Sequence, residues 1–443
     1  MSNTFKGGIH PFGGKELTKD KPIQELKPAG ELVFPVSQHA GAPATPVVKA
    51  GDAVLAGQVI AEASSTVSAN IHSSVSGTVK KVEMRPMPTG GKAMSIVIEN
   101  DGEYREVEYI TSDPETLSKE EILKKIRDAG IVGMGGAGFP VDQKLAPEES
   151  DSIKYLVVNG AECEPYLTSD FRVMCDNTRE LIGGIKIALK LMPNAKAVIG
   201  VEDNKPEAIK ALNDMLSNEP RISCVPVKTK YPQGSDRTLI YATTGMKIKA
   251  TAHANEYGVV VSNVTSLYNV YRAVAEGKPL TRRIVTVSGD DITNPGNFYV
   301  YLGTAFSELL EAAGGTVQDP EKFINGGTMM GFAMYDLSAP ITKTSGSLLA
   351  LKKDEVSSQP TGPCISCASC VSVCPMQLMP NKLAKLADKG KNEEFEKNYG
   401  SYCIECGCCS YVCPAKIPLK QSIKATKKAI KAAKRRERQV AKS

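Results

Sequence analysis

The chain has 443 residues, 42% of them hydrophobic, with no tryptophan and a formal net charge of +5. That length predicts about three domains, and no apolar run approaches a membrane span. The basic excess is local. Residues 416–443 hold 11 Lys/Arg against one Glu, leaving 43 basic and 48 acidic residues, a net of −5, in the rest. The body is therefore not a nucleic-acid-binding surface.

The opening MSNTFKGGIHPFGGK lacks the apolar core of a signal peptide, and residues 1–30 read as an extended Gly/Pro/Lys-rich arm. Residues 31–100 carry short β-type runs at Val47–Val48, Val54–Ile60, Thr78–Val82 and Ser95–Ile98. KAGDAVLAGQVIAE resembles the small β-sandwich of lipoyl and biotinyl carriers, but no lysine stands between Gly51 and Val79. The resemblance is to a fold and not to a carrier function.

Ser118 and Glu121 form a capping box that opens a helix with Ile122, Leu123, Ile126 and Ala129 on one face. Gly133, Gly135 and Gly138 then match G-x-G-x-x-G, but a helix precedes them and Pro140 interrupts the segment after them, which disfavours a plain Rossmann turn. Strands at Tyr155–Val158, Ala197–Val201 and Ser223–Val227 alternate with helical patterns over 181–189 and 206–216. This order predicts a parallel, doubly wound α/β sheet with its ligand at the carboxyl ends of the strands. Asn159–Pro165 and Tyr231–Gly234 lie at such ends. A strand at Val259–Val261 and a helix to about Ala275 come next. Ile284–Val287, Phe298–Tyr301 and Phe323–Asn325 return to β character around a helix at about Thr304–Ala313, an order that suits a β-grasp-like domain.

The strongest signal is C-x2-C-x2-C-x3-C-P used twice. Cys364, Cys367, Cys370 and Cys374 recur 39 residues on as Cys403, Cys406, Cys409 and Cys413, each set followed by proline. Structural zinc prefers two separated pairs, and disulfide frameworks suit small secreted chains. The spacing is that of a two-cluster iron–sulfur module, in which the fourth cysteine of each loop ligates the other cluster. One [4Fe–4S] cluster is thus expected on Cys364, Cys367, Cys370 and Cys413, the second on Cys403, Cys406, Cys409 and Cys374. Cys408 fits neither set and reads as a packing residue, as do Cys163, Cys175 and Cys224. Nine of the 12 cysteines fall in this region, which implies a reducing compartment. The scattered His10, His39, His72 and His253 show no metal spacing. After Pro418 the chain reads as a lysine-rich helix with a thin stripe of Ile423 and Ile430. It is either solvated or drawn to anionic lipid or an acidic partner subunit.

GMGGAGFPVDQK, VVNGAECEP with Asp170 and Arg172, and SNVTSL together resemble the flavin- and NADH-binding subunit of respiratory complex I. Ala161 stands where that family has an acidic residue, and Thr265 where it has Glu. The whole layout more closely resembles the C-subunit family of the Rnf ion-translocating ferredoxin:NAD oxidoreductases. The signs are FKGGIHP, GMGGAGFP, NGAECEPYLTSD, YPQGSDRTLIYATTG, NPGNFYVYLGT, INGGTMMG and the doubled cysteine motif. A propanediol-compartment redox protein shares parts of the layout.

The resemblance implies FMN, NAD(H) and two [4Fe–4S] clusters in a subunit peripheral to the cytoplasmic face of the cell membrane. Its partners would be the other Rnf-type subunits and, indirectly, ferredoxin, in a translocating oxidoreductase. Gly133, Gly135, Gly136 and Gly138 would admit the flavin, and Lys144 would pair with its phosphate or ring oxygen. Asn159, Asn263 and Thr265 would hold its polar groups, with Glu162 and Glu164 meeting the nicotinamide portion. The expected fold is an α/β core with a doubly wound sheet, a barrel-sandwich-like β domain, a β-grasp-like domain and a two-cluster ferredoxin-like α-helical module. The expected segments are an arm over 1–30, the β-sandwich over 31–112 and the FMN/NADH domain over 113–280. The β-grasp domain then spans 281–345, the cluster module 355–416 and the basic tail 417–443. A non-catalytic iron–sulfur relay or scaffold is the alternative.

Overall fold

Four parallel strands organise the molecule in a computed structural model that describes residues 3–353 and 358–440. The expected start of the cluster module at 355 and the last three tail residues lie outside the described residues. The strands run in the order Ile222–Val227, Lys196–Glu202, Tyr155–Gly160, Val259–Asn263. Alternate side chains serve opposite faces, as strand geometry requires. Leu156, Val158, Ile199 and Val260 join a core with Leu181 and Ile185 of helix Thr178–Leu191 and Leu267 of helix Val264–Val274. Val157, Val259 and Val261 pack instead with Leu239 and Ile240 of helix Asp236–Thr244. Helices thus cover both faces, which makes the sheet doubly wound. Helices Ser169–Asp176 and Asp236–Thr244 were not apparent from periodicity.

The capping box forms as expected. Glu121 N–H donates to Ser118 Oγ at 3.2 Å, and Ser118 N–H donates to Glu121 Oε2 at 2.8 Å. Ile122 and Ile126 on the expected face are fully buried.

Residues 31–100 fold into a four-stranded and a three-stranded antiparallel sheet, as a sandwich should. The hairpin tip between Val59–Glu62 and Ile71–His72 is tied to its surroundings, although Ser64, Ser65 and Thr66 are exposed. Ala42 N–H donates to Val67 O, Asn70 Nδ2 donates to Asp128 O at 3.2 Å, and Arg127 reaches Ser65 O at 3.4 Å.

A six-stranded mixed sheet forms the next domain and reaches beyond the expected segment at both ends. Ile23–Leu26, from the expected arm, pairs in parallel with Gly296–Tyr301, and Ser347–Leu351 pairs with Arg282–Ser288 and Lys322–Asn325. The first is an edge strand with no fully buried side chain, so it carries little hydrophobic signal. The cysteine module then packs under helix Leu419–Val440, whose Ile423 and Ile430 sit buried against Leu378, Leu383, Leu386 and Phe395. The thin stripe is therefore a docking seam, and the solvated reading holds only for the outer face.

Candidate functional site

The chain leaves strand Tyr155–Gly160 for a neighbour on one side and later returns to place Val259–Asn263 on the other. This is a topological switch point, where a crevice opens at the carboxyl ends. Asn159 and Asn263 are register partners there. Asn263 Oδ1 caps helix Val264–Val274 by accepting from Thr265 N–H at 2.9 Å and Ser266 N–H at 3.3 Å. Its Nδ2 donates to Asp170 Oδ2 at 2.7 Å, and Thr265 Oγ1 donates to Asp170 Oδ1 at 2.6 Å. Asn159 accepts from Ala161 N–H at 3.2 Å and donates to Gly234 O at 2.8 Å. Both amides, expected at the flavin, thus tie loops of this chain together.

The glycine loop is closed on itself rather than being a strand-to-helix turn. Gly133 N–H donates to Phe139 O at 2.8 Å, and Val132 bridges Pro140. Met134 N–H is anchored to Ser266 Oγ at 2.9 Å. Gly138 has φ of +72°, favoured by glycine, and its O accepts from Ala40 N–H at 3.0 Å. A methyl on Gly135 would meet Asn263 Nδ2 at 2.9 Å, so the loop lies directly over the switch point. Between these anchors Gly135, Gly136 and Ala137 are exposed, and nothing lies within 4 Å of where a Gly136 side chain would start. Lys144 ends the short helix Val141–Lys144, half-buried, its N–H donating to Pro140 O at 3.2 Å and its ammonium with no hydrogen bond or ion pair among the described residues.

Glu162 turns its carboxylate onto the start of helix Ser169–Asp176, accepting from Asp170 N–H at 2.6 Å and Phe171 N–H at 3.3 Å. Burial pushes its pKa up to about 7, with Lys15 opposing the rise; burial also raises Asp170. Glu164 faces the other way. Its Oε2 accepts from Met329 N–H at 3.0 Å, while Oε1 is buried without a partner. Lys15, which sequence reasoning missed, donates to the carbonyls of Glu162, Glu164 and Leu167.

The eight motif cysteines separate into the crosswise sets. Cys364, Cys367, Cys370 and Cys413 line one cleft of about 360 Å³; Cys374, Cys403, Cys406 and Cys409 line another of about 400 Å³. Cys408, fully buried, also lines the second cleft, and its thiol donates to Tyr231 O at 3.9 Å. Among the described residues no three His, Cys, Asp or Glu converge on a single ion. Tyr231 joins the two regions: its phenol donates to Cys406 O at 2.7 Å. Three residues on, Gly234 N–H donates to Cys163 Sγ at 3.3 Å. Burial holds that thiol at about 12.

Comparisons agree with this division. Residues 3–103 match the RnfC barrel sandwich hybrid domain, 126–272 the Nuo51 FMN-binding domain, 284–333 the SLBB domain and 363–417 the 4Fe-4S dicluster domain. The chain is 42% identical to the C subunit of the proton-translocating ferredoxin:NAD(+) oxidoreductase complex of Clostridium ljungdahlii, over 90% of this chain and 88% of that one. It is 40% identical to the C subunit of the Na(+)-translocating complex of Acetobacterium woodii, over 98% of both chains. It belongs to the C-subunit family of these complexes. The C subunit of the ion-translocating oxidoreductase complex of Pseudomonas aeruginosa, 41% identical, is matched over 88% of this chain and 51% of its own length.

FMN and a pair of [4Fe–4S] clusters are the cofactors of the matched domains, and the residues present fit both. The bare backbone at Gly135 and Gly136 is a cradle that side chains would fill, and each cleft is lined by its four motif thiols, the second by Cys408 as well.

Proposed function

We propose that this chain is the NADH-interacting electron-transfer subunit of an ion-translocating ferredoxin:NAD oxidoreductase, peripheral to the membrane on its cytoplasmic side. FMN, when bound, would exchange one hydride, two electrons together, with the nicotinamide and single electrons with iron–sulfur centres. The observation that carries the reading is the segment Tyr231–Gly234. It is bonded at one end to Asn159 and Cys163 of the switch-point crevice and at the other to Cys406 of the second cysteine loop.

In this reading Gly133, Gly135, Gly136 and Gly138 let the loop backbone lie close to the flavin phosphate and ring, and Lys144 supplies a counter-charge. Asn159, Asn263 and Thr265 fix the crevice walls through Gly234 and Asp170. Glu162 and Glu164 line the nicotinamide side, where a carboxyl held near neutrality can keep or release a proton. The cysteine sets hold the clusters crosswise. No helix among the described residues is long and apolar enough to cross a membrane, so the complex's other subunits would supply the membrane path.

Anaerobic titration of reconstituted protein with NADH tests this. Flavin absorbance should bleach, followed by loss of the broad iron–sulfur absorbance. A flavin-loaded sample that NADH does not bleach overturns the reading. The engagement of both Asn159 and Asn263 within the chain favours a second reading, a relay without flavin. About one extractable FMN per chain would eliminate it.

A further inference from the structure

The arm before the β-sandwich touches the first cysteine loop, Tyr231 and loop 161–167 in turn. Gly8 N–H donates to Val373 O of the first cysteine loop at 2.8 Å. Ile9 and Tyr231 exchange backbone hydrogen bonds at 2.8 and 2.9 Å. Gly13 O accepts from Tyr166 N–H at 2.7 Å, with the Phe12 ring edge-on to Tyr166 at 5.9 Å. Lys15 then enters beneath loop 161–167, and Thr18 Oγ1 meets Thr168 Oγ1 at 2.7 Å. Lys15 Nζ spends its three protons on three carbonyls, Glu162 O at 2.8 Å, Glu164 O at 3.0 Å and Leu167 O at 2.6 Å. A second ammonium, on the fully buried Lys205, takes Ala161 O at 2.7 Å.

The geometry points to Lys15 as a positioning residue for the flavin and nicotinamide crevice. Its ammonium gathers three carbonyls of loop 161–167 and so sets the path of the backbone that carries Glu162 and Glu164. The inference rests on the function proposed above. The loop needs such a device because it follows no regular element: Glu162 and Tyr166 both adopt positive φ, +47° and +68°, conformations costly for non-glycine residues. Drawing four carbonyls toward two fixed ammonium groups offsets that cost. Lys15 touches no cofactor position itself; it acts through the loop.

The test uses the full chain, anaerobically reconstituted with iron and sulfide and then titrated with FMN, with amide hydrogen exchange read in parallel. Lys15→Met keeps the length of the side chain and removes all three donors. FMN Kd is expected to rise at least about tenfold, and exchange at 162–168 to accelerate, while iron and sulfide content stay at wild-type levels. Phe12→Ala trims only the exposed edge of the arm and keeps the question open should Lys15→Met fail to fold; a rise of about threefold is expected from it. FMN affinity within about twofold of wild type in Lys15→Met, or in Phe12→Ala where Lys15→Met does not fold, overturns the role of Lys15. Wild-type protein that takes up no FMN overturns the inference together with the flavin assignment, and the wild-type titration alone tells these failures apart.

Discussion

The phenol of Tyr231 and the backbone carbonyl of Cys406 are hydrogen-bonded at 2.7 Å in a contact from which solvent is excluded. The bond fastens the α/β domain to the second cysteine loop. Tyr231→Phe keeps the ring and leaves the carbonyl without its donor, at a cost of about 1–2 kcal/mol. Denaturant unfolding of anaerobic protein should show this as a lower midpoint. The electron paramagnetic resonance signal assigned to the Cys403 set should change while that of the Cys364 set does not.

Crosswise ligation, as proposed, predicts an unusual deletion pattern. Cys413→Ala lies in the second motif but should remove the cluster of the first, and Cys374→Ala should do the converse. Iron should fall from about eight to about four per chain in each. Cys408→Ala should retain about eight. Iron and sulfide analysis, with spectra identifying which signal survives, checks all three.

Lys343 is fully buried and gives its protons to Asn70 O at 2.5 Å and Gly130 O at 2.7 Å, joining the sandwich to the entry of the glycine loop. Burial lowers its pKa to about 7 from 10.5. A neutral amine still has two N–H groups for two carbonyls. Between those pH values the unfolded chain binds a proton that the folded one does not, so stability should rise from pH 7 toward 10. Lys343→Met should be less stable by about 2–4 kcal/mol, from two orphaned carbonyls, and should lose this rise. Denaturation midpoints across that range decide it.

Ile423 fills a cluster with Leu378, Leu383 and Phe395. Ile423→Ala should cost about 2–4 kcal/mol and free the helix from the cysteine module. Faster proteolysis after residue 418 and earlier loss of iron on warming are the expected signs.

How much of the molecule is legible in its sequence depends on how local each signal is. The doubled cysteine motif marks which thiols gather, because three of each set come from one tight loop. Helix Pro206–Leu216 begins at its N-terminal proline, as expected. The glycine loop is distinguished from a Rossmann turn by the helix before it. Lys15 is invisible because its nearest partner, Glu162, lies 147 residues away and nothing in GGKEL is periodic. Asn159 and Asn263 are recognisable as residues of the crevice. That their amides serve Gly234, Ala161 and Asp170 depends on which loops meet, which spacing along the chain does not encode. The docking of helix Leu419–Val440 rests on two isoleucines seven apart, too thin a stripe to distinguish a seam from a solvated face.

The hairpin of residues 63–70 has a further implication. In a carrier of this shape the tip bears, on a lysine, the group that shuttles between stations. Here the same tip is sewn to Arg127, Asp128 and Lys343. A tip so fastened is not built as a shuttle. A loop insertion at 64–68 would loosen its seams with Arg127 and Asp128 rather than lengthen a tether.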